Sequence, residues 1–384
     1  MRSVAIVSAG WYGFKPSVRD LSFREMMFEA ASRAYNQAGI DPRRDVDAFV
    51  SCQEDYWEGI AISDEFAPEP IGGVLRPTFT VAGDGLLGVA QAYMMIKSGY
   101  FDVVVVESHA KPSDIVTLQE IYELAYDPVL LRPLGAANPL FIAGLDATAY
   151  MEKTGTPREA FAMVASKNKK NGLSNPRSSF AGDVSVDEIL DSEPVVYPLT
   201  RYEIAGYTDV AMVFVLASGD KVKAFTDNPV WVEGVGWSTE VGTGSIFLHE
   251  WGRMPSMRMA SDMAYRMAGI DNPRRRIGFA EVEDGFSHLE LISLEEARLA
   301  SPGEAYKMLE AGDLAKDGAL PVNASGGSLS LGVPLEATGL TRLLEAYLRL
   351  RDSFDIDSNY ALVASWRGPP TYTSMSVVLR GEAL

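Results

Sequence analysis

The stretches AYNQAGIDPRR (34–44) and AYRMAGIDNPRR (264–275) are two copies of one pattern, 230 positions apart. Their surroundings match in kind as well as in letters. A strand carrying a Gly-Trp pair precedes each copy: VAIVSAGWYGF (4–14) with Gly10-Trp11, and VWVEGVGWSTE (230–240) with Gly236-Trp237. A second strand ending in acid follows each, DAFVSCQED (47–55) and GFAEVED (278–284). A repeat of this period is too long for a solenoid unit and marks two copies of a whole domain. The division it implies is 1–228 and 229–384.

Each copy continues in the same order. After the second strand comes a glycine-rich turn, a helix and another strand: VAGDG (81–85), LLGVAQAYMMIKSG (86–99) and FDVVVVES (101–108) in the first copy. The second has NASGG (323–327), a helix through GLTRLLEAYLRLRD (339–352) and YALVAS (360–365). The FDVVVVES run is β-branched and apolar at successive positions, the pattern of a strand covered on both faces. Strands alternating with helices predict an α/β fold with right-handed parallel crossovers. Residues 111–200 have no comparable partner later in the chain. They read as a large helical insertion riding over the first copy, a place for a substrate lid.

Composition narrows the function classes. Hydrophobic residues are 47% of 384 and charged residues 22%, ordinary for a globular chain. The formal net charge of −18 would repel a phosphate backbone, so no nucleic-acid partner is expected. No apolar run reaches the length of a membrane span, and the opening MRSVAIVSAG has a strand's pattern, not a signal peptide's apolar core. A cytoplasmic protein without a membrane partner is the expectation. Cys52 is the single cysteine, which excludes an internal disulfide or a cysteine zinc site. The histidines, His109, His249 and His288, form no metal-binding pair at helical spacing, so no metal is expected. Cys52 reads as a small buried thiol, and His288 as a packed, hydrogen-bonded core histidine.

RPLG (132–135), AGLDATAYM (143–151), KNKKNGLSNP (167–176), DVAMVFVLASGD (209–220), GFAEVEDGF (278–286) and VNASGGSLSLGVPLEATG (322–339) occur in an order and spacing that resembles the thiolase superfamily. The likeness covers essentially the whole chain and is greatest to the archaeal and sterol-carrier-linked thiolases. It implies a duplicated βαβαβ fold, five-layered αβαβα, with the helical loop domain inserted in the first half.

The resemblance fails where thiolases do their chemistry. Their nucleophilic cysteine opens a C-A-S-G turn at a helix N-terminus, which lowers the thiol pKa. That turn falls on Ala82-Gly83-Asp84-Gly85, so the nucleophile position is Ala82. The histidine of the family's G-H-P motif becomes Val333 in Gly332-Val333-Pro334. The polar oxyanion-hole residue of the E-V-H-D motif becomes Glu283, followed by Asp284. The second cysteine falls on Ser376, after a loop, Trp366–Pro370, that departs from the family's glycine-rich pattern. The K-N-H motif of the loop domain becomes Lys167-Asn168-Lys169. Without either thiol or the histidine there is no covalent acyl-enzyme route, and Claisen chemistry is excluded.

Four residues are candidates for the remaining chemistry. Asp84 stands in the nucleophile turn as either a helix cap or a base. Glu283 and Asp284 are adjacent acids that could divide acid and base roles, or be satisfied by helix-start N–H groups. Tyr372, in a loop that borders the family's site, reads as a general acid or a pocket wall. Glu336, two residues after Pro334, is a further acid or a first-turn helix residue. The resemblance implies a coenzyme A thioester as ligand, with no covalently bound cofactor. Its pantetheine would lie on Ser325-Gly326-Gly327, and Lys169, Lys170 and Arg177 would meet the phosphates. Trp366, Tyr372, Tyr126 and Phe141 would line a bulky acyl pocket. A homodimer or dimer of dimers is implied, with FTVAG (78–82) pairing across the interface.

Thiolase-like aldolases lack the cysteine and cleave a β-hydroxyacyl-CoA with a zinc-ribbon/OB-fold partner chain. Such a retro-aldol role fits the losses here, although those aldolases place a tyrosine where this chain has Val333. The alternative is a non-catalytic paralogue that holds acyl-CoA or scaffolds an active acetyltransferase-type partner. In that reading Ala82 and Val333 are core filling.

Overall fold

The computed structural model describes residues 2–54, 66–124, 126, 129, 132–134, 138–240, 249–352, 359–369 and 371–382. The first half runs β1 (Val4–Lys15), α1 (Phe23–Ala38), β2 (Ala48–Cys52), β3 (Thr78–Val81), α2 (Gly85–Lys97) and β4 (Val103–Ala110). After the insertion, with its long helices α3 (Pro139–Thr154) and α4 (Glu159–Gly172), it closes with β5 (Asp209–Ser218). The second half runs β6 (Val230–Thr239), α5 (Pro255–Ala268), β7 (Phe279–Glu281), α6 (Ser287–Glu296), α7 (Gly327–Leu331), α8 (Thr338–Asp352), β8 (Tyr360–Arg367) and β9 (Thr373–Arg380). Of the RPLG motif, Gly135 lies outside the described residues, as does Pro370 of the C-terminal loop.

The repeated letters have matching local causes. Both copies end a helix at a left-handed glycine, Gly39 and Gly269, and the following Ile40 and Ile270 N–H groups donate to the carbonyls of Tyr35 and Tyr265 at 3.0 and 2.9 Å. The Gly-Trp glycines let those helices rest directly on the strands. A Cβ on Gly10 would lie 2.1 Å from the Ala30 carbonyl oxygen, and one on Gly236 would lie 2.0 Å from that of Ala260.

The strands form one sheet in the order β3-β2-β4-β5-β1-β6-β9-β8-β7. Within the sheet, the described strands of the two halves pair through β1 and β6, at Ala5–Trp231 and Ile6–Val230. Parallel pairing is confined to β3-β2-β4 and β7-β8; β5 and β9 run antiparallel to their neighbours. The strands linked by helices thus run in one sense within each half, as parallel crossovers require, and each half closes with a strand, β5 or β9, that returns antiparallel beside its first. The second half keeps only a single bridge, Ala280–Val322, where the first has β3.

Alternation along β4 and β5 sorts side chains onto two faces. Val103, Val105, Val213 and Val215 pack with Met26, Met27 and Ala30 of α1. Val104, Val106, Phe214 and Leu216 face the other way, onto Val89, Leu340 and Leu344 of α2 and α8. Strands of both halves contribute to that second cluster, so α2 and α8 form a central layer between two half-sheets, with α1 and α5 outside. The layering is αβαβα.

The insertion does not ride over the first copy. Ala143, Ala147 and Tyr150 of α3 and Phe161 and Val164 of α4 share one core with Met257, Leu291, Leu329 and Leu362, all of the second half. Its apolar helix faces match the surface beside α5 and α6, while α1 already covers the outer face of the first half. A buried ionic contact reinforces the join. His249 Nε2 lies 3.2 Å from Asp146 on α3, and its Nδ1 lies 3.5 Å from Glu240 at the end of β6. Burial pushes the imidazolium down, but Asp146 and Glu240 together outweigh it and hold the group up to about 9. No helix among the described residues is long and apolar enough to cross a membrane.

Two predictions follow from packing and charge. A Cβ on Gly88 of α2 would lie 2.0 Å from Cys52 Sγ. Gly88→Ala should cost about 1–3 kcal/mol of unfolding free energy, and adding Cys52→Ala should recover part of it in a denaturant double-mutant cycle. The raised His249 pKa means the folded state binds its proton more tightly than the unfolded chain. Its contribution is complete below about pH 6.5 and is lost as pH rises through about 9, on the order of 2–3 kcal/mol in total. The stability difference between wild type and His249→Gln should shrink across that window; a constant difference would remove the ionic role.

Candidate active site

The site grows from three helix N-termini that converge between the halves. Asp84 caps α2: one carboxylate oxygen accepts from the Leu86 N–H at 2.9 Å. Its other oxygen accepts from the Gly339 N–H of α8 at 2.8 Å and from Ser365 Oγ at 2.9 Å. One carboxylate thus serves the first turn of a helix from each half. Asp284, fully buried, accepts from the Ser328 and Leu329 N–H groups of α7 at 2.7 and 3.3 Å and from Asn168 Nδ2 at 2.9 Å. Each caps orphan N–H groups that no intrahelical acceptor reaches.

Arg342, one turn into α8 and 2% exposed, joins these acids. Its Nη1 lies 2.9 Å from Glu283 Oε2 and donates to Ser365 Oγ at 3.1 Å. Its Nη2 donates to Ser328 Oγ at 2.8 Å and lies 3.6 Å from Asp284 Oδ1. Burial pushes both Asp84 and Asp284 up to about 6, against the pull of Arg342 and the backbone donors. Behind them Glu290 receives Asn168 and Asn323 at 2.7 and 2.8 Å, with Lys167 Nζ 3.1 Å away.

Glu283 is the acid at the mouth. It is 5% exposed; Oε1 accepts from the Gly285 N–H at 2.9 Å and Oε2 from the Trp366 N–H at 3.2 Å. A Cβ on Gly285 would lie 3.0 Å from Glu283 Oε1 and 3.9 Å from Val333 Cγ2, so Glu283 and Val333 flank the same small space. Val333 is half-buried, and its backbone is held by the Gly206 carbonyl at 2.8 Å and the Thr208 N–H at 3.3 Å. Ala82 is exposed, so core filling does not describe it. Beside them Arg367 pairs with Glu54, and the Glu54 N–H donates to buried Glu336 at 3.5 Å.

Other candidates lie apart from this cluster. Tyr372 has φ +48° and stacks on His249, 4.5 Å between centroids, in an apolar group with Tyr126, Ile142, Trp251 and Trp366. Burial and the nearby Asp146 and Glu240 push its phenol up. Phe141 is 40% exposed and outside that group. Ser376 sits mid-strand in β9, fully buried, with its hydroxyl 2.9 Å from Ser261 of α5. It lies behind the sheet, and the segment facing the acids is Ser365–Arg367 at the end of β8. Cys52 is buried beneath α2 with Sγ 3.8 Å from the Gly85 carbonyl; burial pushes its thiol well up. His288 is packed as expected, against Phe161 and Phe286, but neither ring nitrogen has a hydrogen-bond partner among the described residues, and burial pushes it down to about 3.

The residues expected to hold coenzyme A are distributed unevenly. Ser325 Oγ donates to Glu281 at 2.6 Å, and burial pushes Glu281 up to about 8. Gly327, at φ +57°, leaves room for the Asp284 carboxylate, and Gly326 packs on Gly172 and Ser330. Lys169 is buried and donates to the Leu329 and Phe180 carbonyls; burial pushes it down to about 8. Arg177 forms a fork on Glu345 at 2.6 and 2.8 Å over the Trp11 ring. Lys170, beside Asp183 at 3.3 Å, is the one of these three cations with a largely exposed side chain. No group of His, Cys, Asp and Glu fit to hold a metal occurs among the described residues.

Arg342, Ser365, Asn168 and Asn323 were absent from the sequence candidates. Arg342 sits on an amphipathic helix, where an arginine ordinarily faces water; it is covered instead by Ser365 of β8, Ser328 of α7 and the acids Glu283 and Asp284.

Comparison with known proteins agrees with this architecture. Residues 246–379 match the family described as Thiolase C-terminal domain-like. The acetyl-CoA acetyltransferase of Methanothermobacter thermautotrophicus is 30% identical over 362 residues, 91% of each chain. Among solved structures, the Ltp2-ChsH2(DUF35) aldolase superposes with a TM-score of 0.84 at 23% identity, covering 100% of this chain and 98% of that one. Human mitochondrial 3-ketoacyl-CoA thiolase in complex with CoA gives 0.72 at 17% identity, covering 100% and 98%. With its duplicated five-layer fold and a relative alike along nearly its whole length, the chain belongs to the thiolase superfamily.

Proposed function

We propose that this protein binds an acyl-CoA thioester and makes or breaks a carbon–carbon bond by aldol chemistry on a β-hydroxyacyl-CoA. One observation carries the reading: the family's nucleophile and base positions are the aliphatic Ala82 and Val333, while the carboxylate of Glu283 stands beside Val333 at the same mouth. Retro-aldol cleavage needs no thiol. Glu283 takes the β-hydroxyl proton, the Cα–Cβ bond breaks to release a carbonyl compound, and its electron pair enters the thioester as an enolate. The α-carbon then takes a proton. Arg342 and the Gly285 and Trp366 N–H groups hold Glu283 in place for that transfer. Asp84 and Asp284 serve as caps and Tyr372 as a wall of the acyl pocket.

The structurally similar aldolase is an Ltp2-ChsH2(DUF35) assembly, which supports a zinc-ribbon/OB-fold partner for this chain. The CoA complex of the human thiolase supports coenzyme A as the carrier. A homodimer through the edge strand β3, where Phe79 and Thr80 are exposed, completes the proposal. The saturation of Asp84 and Asp284 by backbone donors favours a second reading, an acyl-CoA-binding scaffold without chemistry.

Calorimetry with a panel of acyl-CoAs, followed by turnover of any β-hydroxyacyl-CoA that binds, separates the two. The aldol reading predicts that Glu283→Gln retains binding within about threefold and loses turnover by about 10²-fold or more. Unchanged turnover removes Glu283 from the mechanism, and binding without turnover by wild type favours the scaffold. Ala82→Cys alone should give no thiolysis of a 3-ketoacyl-CoA, because Val333 cannot accept the thiol proton. A measurable rate would overturn this account of the site.

A further inference from the structure

We infer that the hydroxyl of Tyr207 is the hydrogen-bond donor to the enolate oxygen of the bound thioester. This rests on the acyl-CoA reading above and adds to it the residue that answers the developing negative charge. A site that generates an enolate beside the Glu283 carboxylate needs such a donor, since the carboxylate itself repels the oxyanion.

The backbone places Tyr207 between the two halves of the mouth. Ile204 bridges to Phe286, and the Ala205 N–H donates to the Gly285 carbonyl at 2.9 Å. Two residues on, the Val333 N–H donates to the Gly206 carbonyl at 2.8 Å, the Thr208 N–H donates to the Val333 carbonyl at 3.3 Å, and Tyr207 itself pairs with Val333. Residues 204–208 therefore register on Glu283 through Gly285 at one end and on Val333 at the other. The Tyr207 Cα is fixed next to the position where the family carries a polar side chain and this chain carries an aliphatic one.

The phenol retains its proton. Tyr207 is 42% exposed, and burial of the remainder pushes its ionisation up, against the opposing Tyr122 hydroxyl and Arg367. A neutral phenol donates and does not repel an oxyanion. Its O–H donates to the Tyr122 hydroxyl oxygen at 3.1 Å. Tyr122 is carried by the short helix Leu118–Leu124, which packs through Leu118, Ile121 and Tyr122 itself, together with Ile115 just before it, against Ala110 and Leu335. A neutral acceptor at that distance is a weaker partner than an enolate oxygen, so the Tyr207 hydroxyl can turn from Tyr122 to the ligand. Tyr122 is then a positioning residue that fixes the phenol through this hydrogen bond.

Acetoacetyl-CoA tests the donor without requiring turnover. Its α-carbon loses a proton to solvent, the electron pair moves onto the oxygens, and the resulting enolate absorbs in the near ultraviolet; no carbon–carbon bond changes. The full chain, with any partner that stays bound, is titrated with acetoacetyl-CoA and with CoA by calorimetry, and the enolate band is recorded against pH. The expected result is a higher enolate fraction for bound than for free ligand at a given pH. In Tyr207→Phe the enolate-to-keto ratio should fall at least tenfold while the Kd for CoA changes less than threefold. Tyr122→Phe should lose a smaller part. An enolate ratio in Tyr207→Phe equal to wild type, or bound ligand no more enolised than free ligand in wild type, overturns this inference alone. Failure of wild type to bind either compound overturns the acyl-CoA reading and this inference together.

Discussion

A single guanidinium, that of Arg342, holds together the place where the two halves of the molecule meet. Removing a charged group from water costs several kcal/mol, offset only by close pairing and saturated hydrogen bonding. Arg342 finds such partners at both terminal nitrogens, with Glu283 at 2.9 Å, Asp284 at 3.6 Å and the hydroxyls of Ser365 and Ser328, while its buried Nε has no hydrogen-bond partner among the described residues. Ser365 passes the contact on to Asp84, in the other half. Three carboxylates against one cation would leave excess negative charge in the interior. The excess is answered by the N-termini of α2, α7 and α8, whose orphan N–H groups carry partial positive charge and point at Asp84 and Asp284. The buried acids are therefore part of how three helices begin, and their raised pKa values record a balance between burial and those donors.

That arrangement explains why the four sequence candidates do not have equal standing. Asp84 and Asp284 have their oxygens committed to backbone N–H groups inside the core, so moving either would uncap a helix. Glu283 belongs to the same cluster but caps no helix: Arg342 and the Trp366 N–H hold one oxygen and the Gly285 N–H the other, and the Val333 side chain lies on the far side of Gly285. Rigid helix termini on three sides give such a residue the fixed geometry that a catalytic group requires. The same cluster ties in the insertion, because Asn168 on α4 donates to both Asp284 and Glu290. The loop domain is thereby registered on the second half by polar as well as apolar contacts.

The fold was legible in the sequence because the duplication repeats features with strong local causes. Gly10 and Gly236 permit close helix packing, and Gly39 and Gly269 end helices; such residues leave the same letters in both copies. Strand direction was less legible. β5 and β9 have the composition of the parallel strands beside them, since burial on both faces sets composition and pairing sense does not. The seat of the insertion was hidden for a related reason: an apolar helix face announces that it is covered, without naming the surface that covers it. Ser376 illustrates the limit at the site itself. Counting from a family motif through the divergent loop 366–370 reached a serine of the right type, but alternation along β9 turns it away from the acids and toward Ser261. Arg342 could be found only after α8 was placed against β8 and α7, because pattern alone assigns an arginine to solvent.

The two aliphatic positions bear on whether the chain has lost chemistry or changed it. Replacing a buried ionic cluster by well-packed apolar groups is often neutral or stabilising, so nothing in folding energetics alone requires Glu283 where thiolases carry a polar neutral or basic residue. Here the aliphatic residues occur at Ala82, which is exposed, and at Val333, which is half-buried, so neither fills the core. Near Val333 stands the Arg342 cluster, in which Glu283, Asp284 and Asp84 each have a hydrogen-bonded or ion-pair partner. Glu283 is 5% exposed, and an interaction between such a sheltered carboxylate and a bound hydroxyl gains strength as the surroundings become less polar. On the proposed aldol reading, aliphatic residues at the positions of the family's nucleophile and base leave a single carboxylate, positioned by Arg342, as the group that meets a β-hydroxyl.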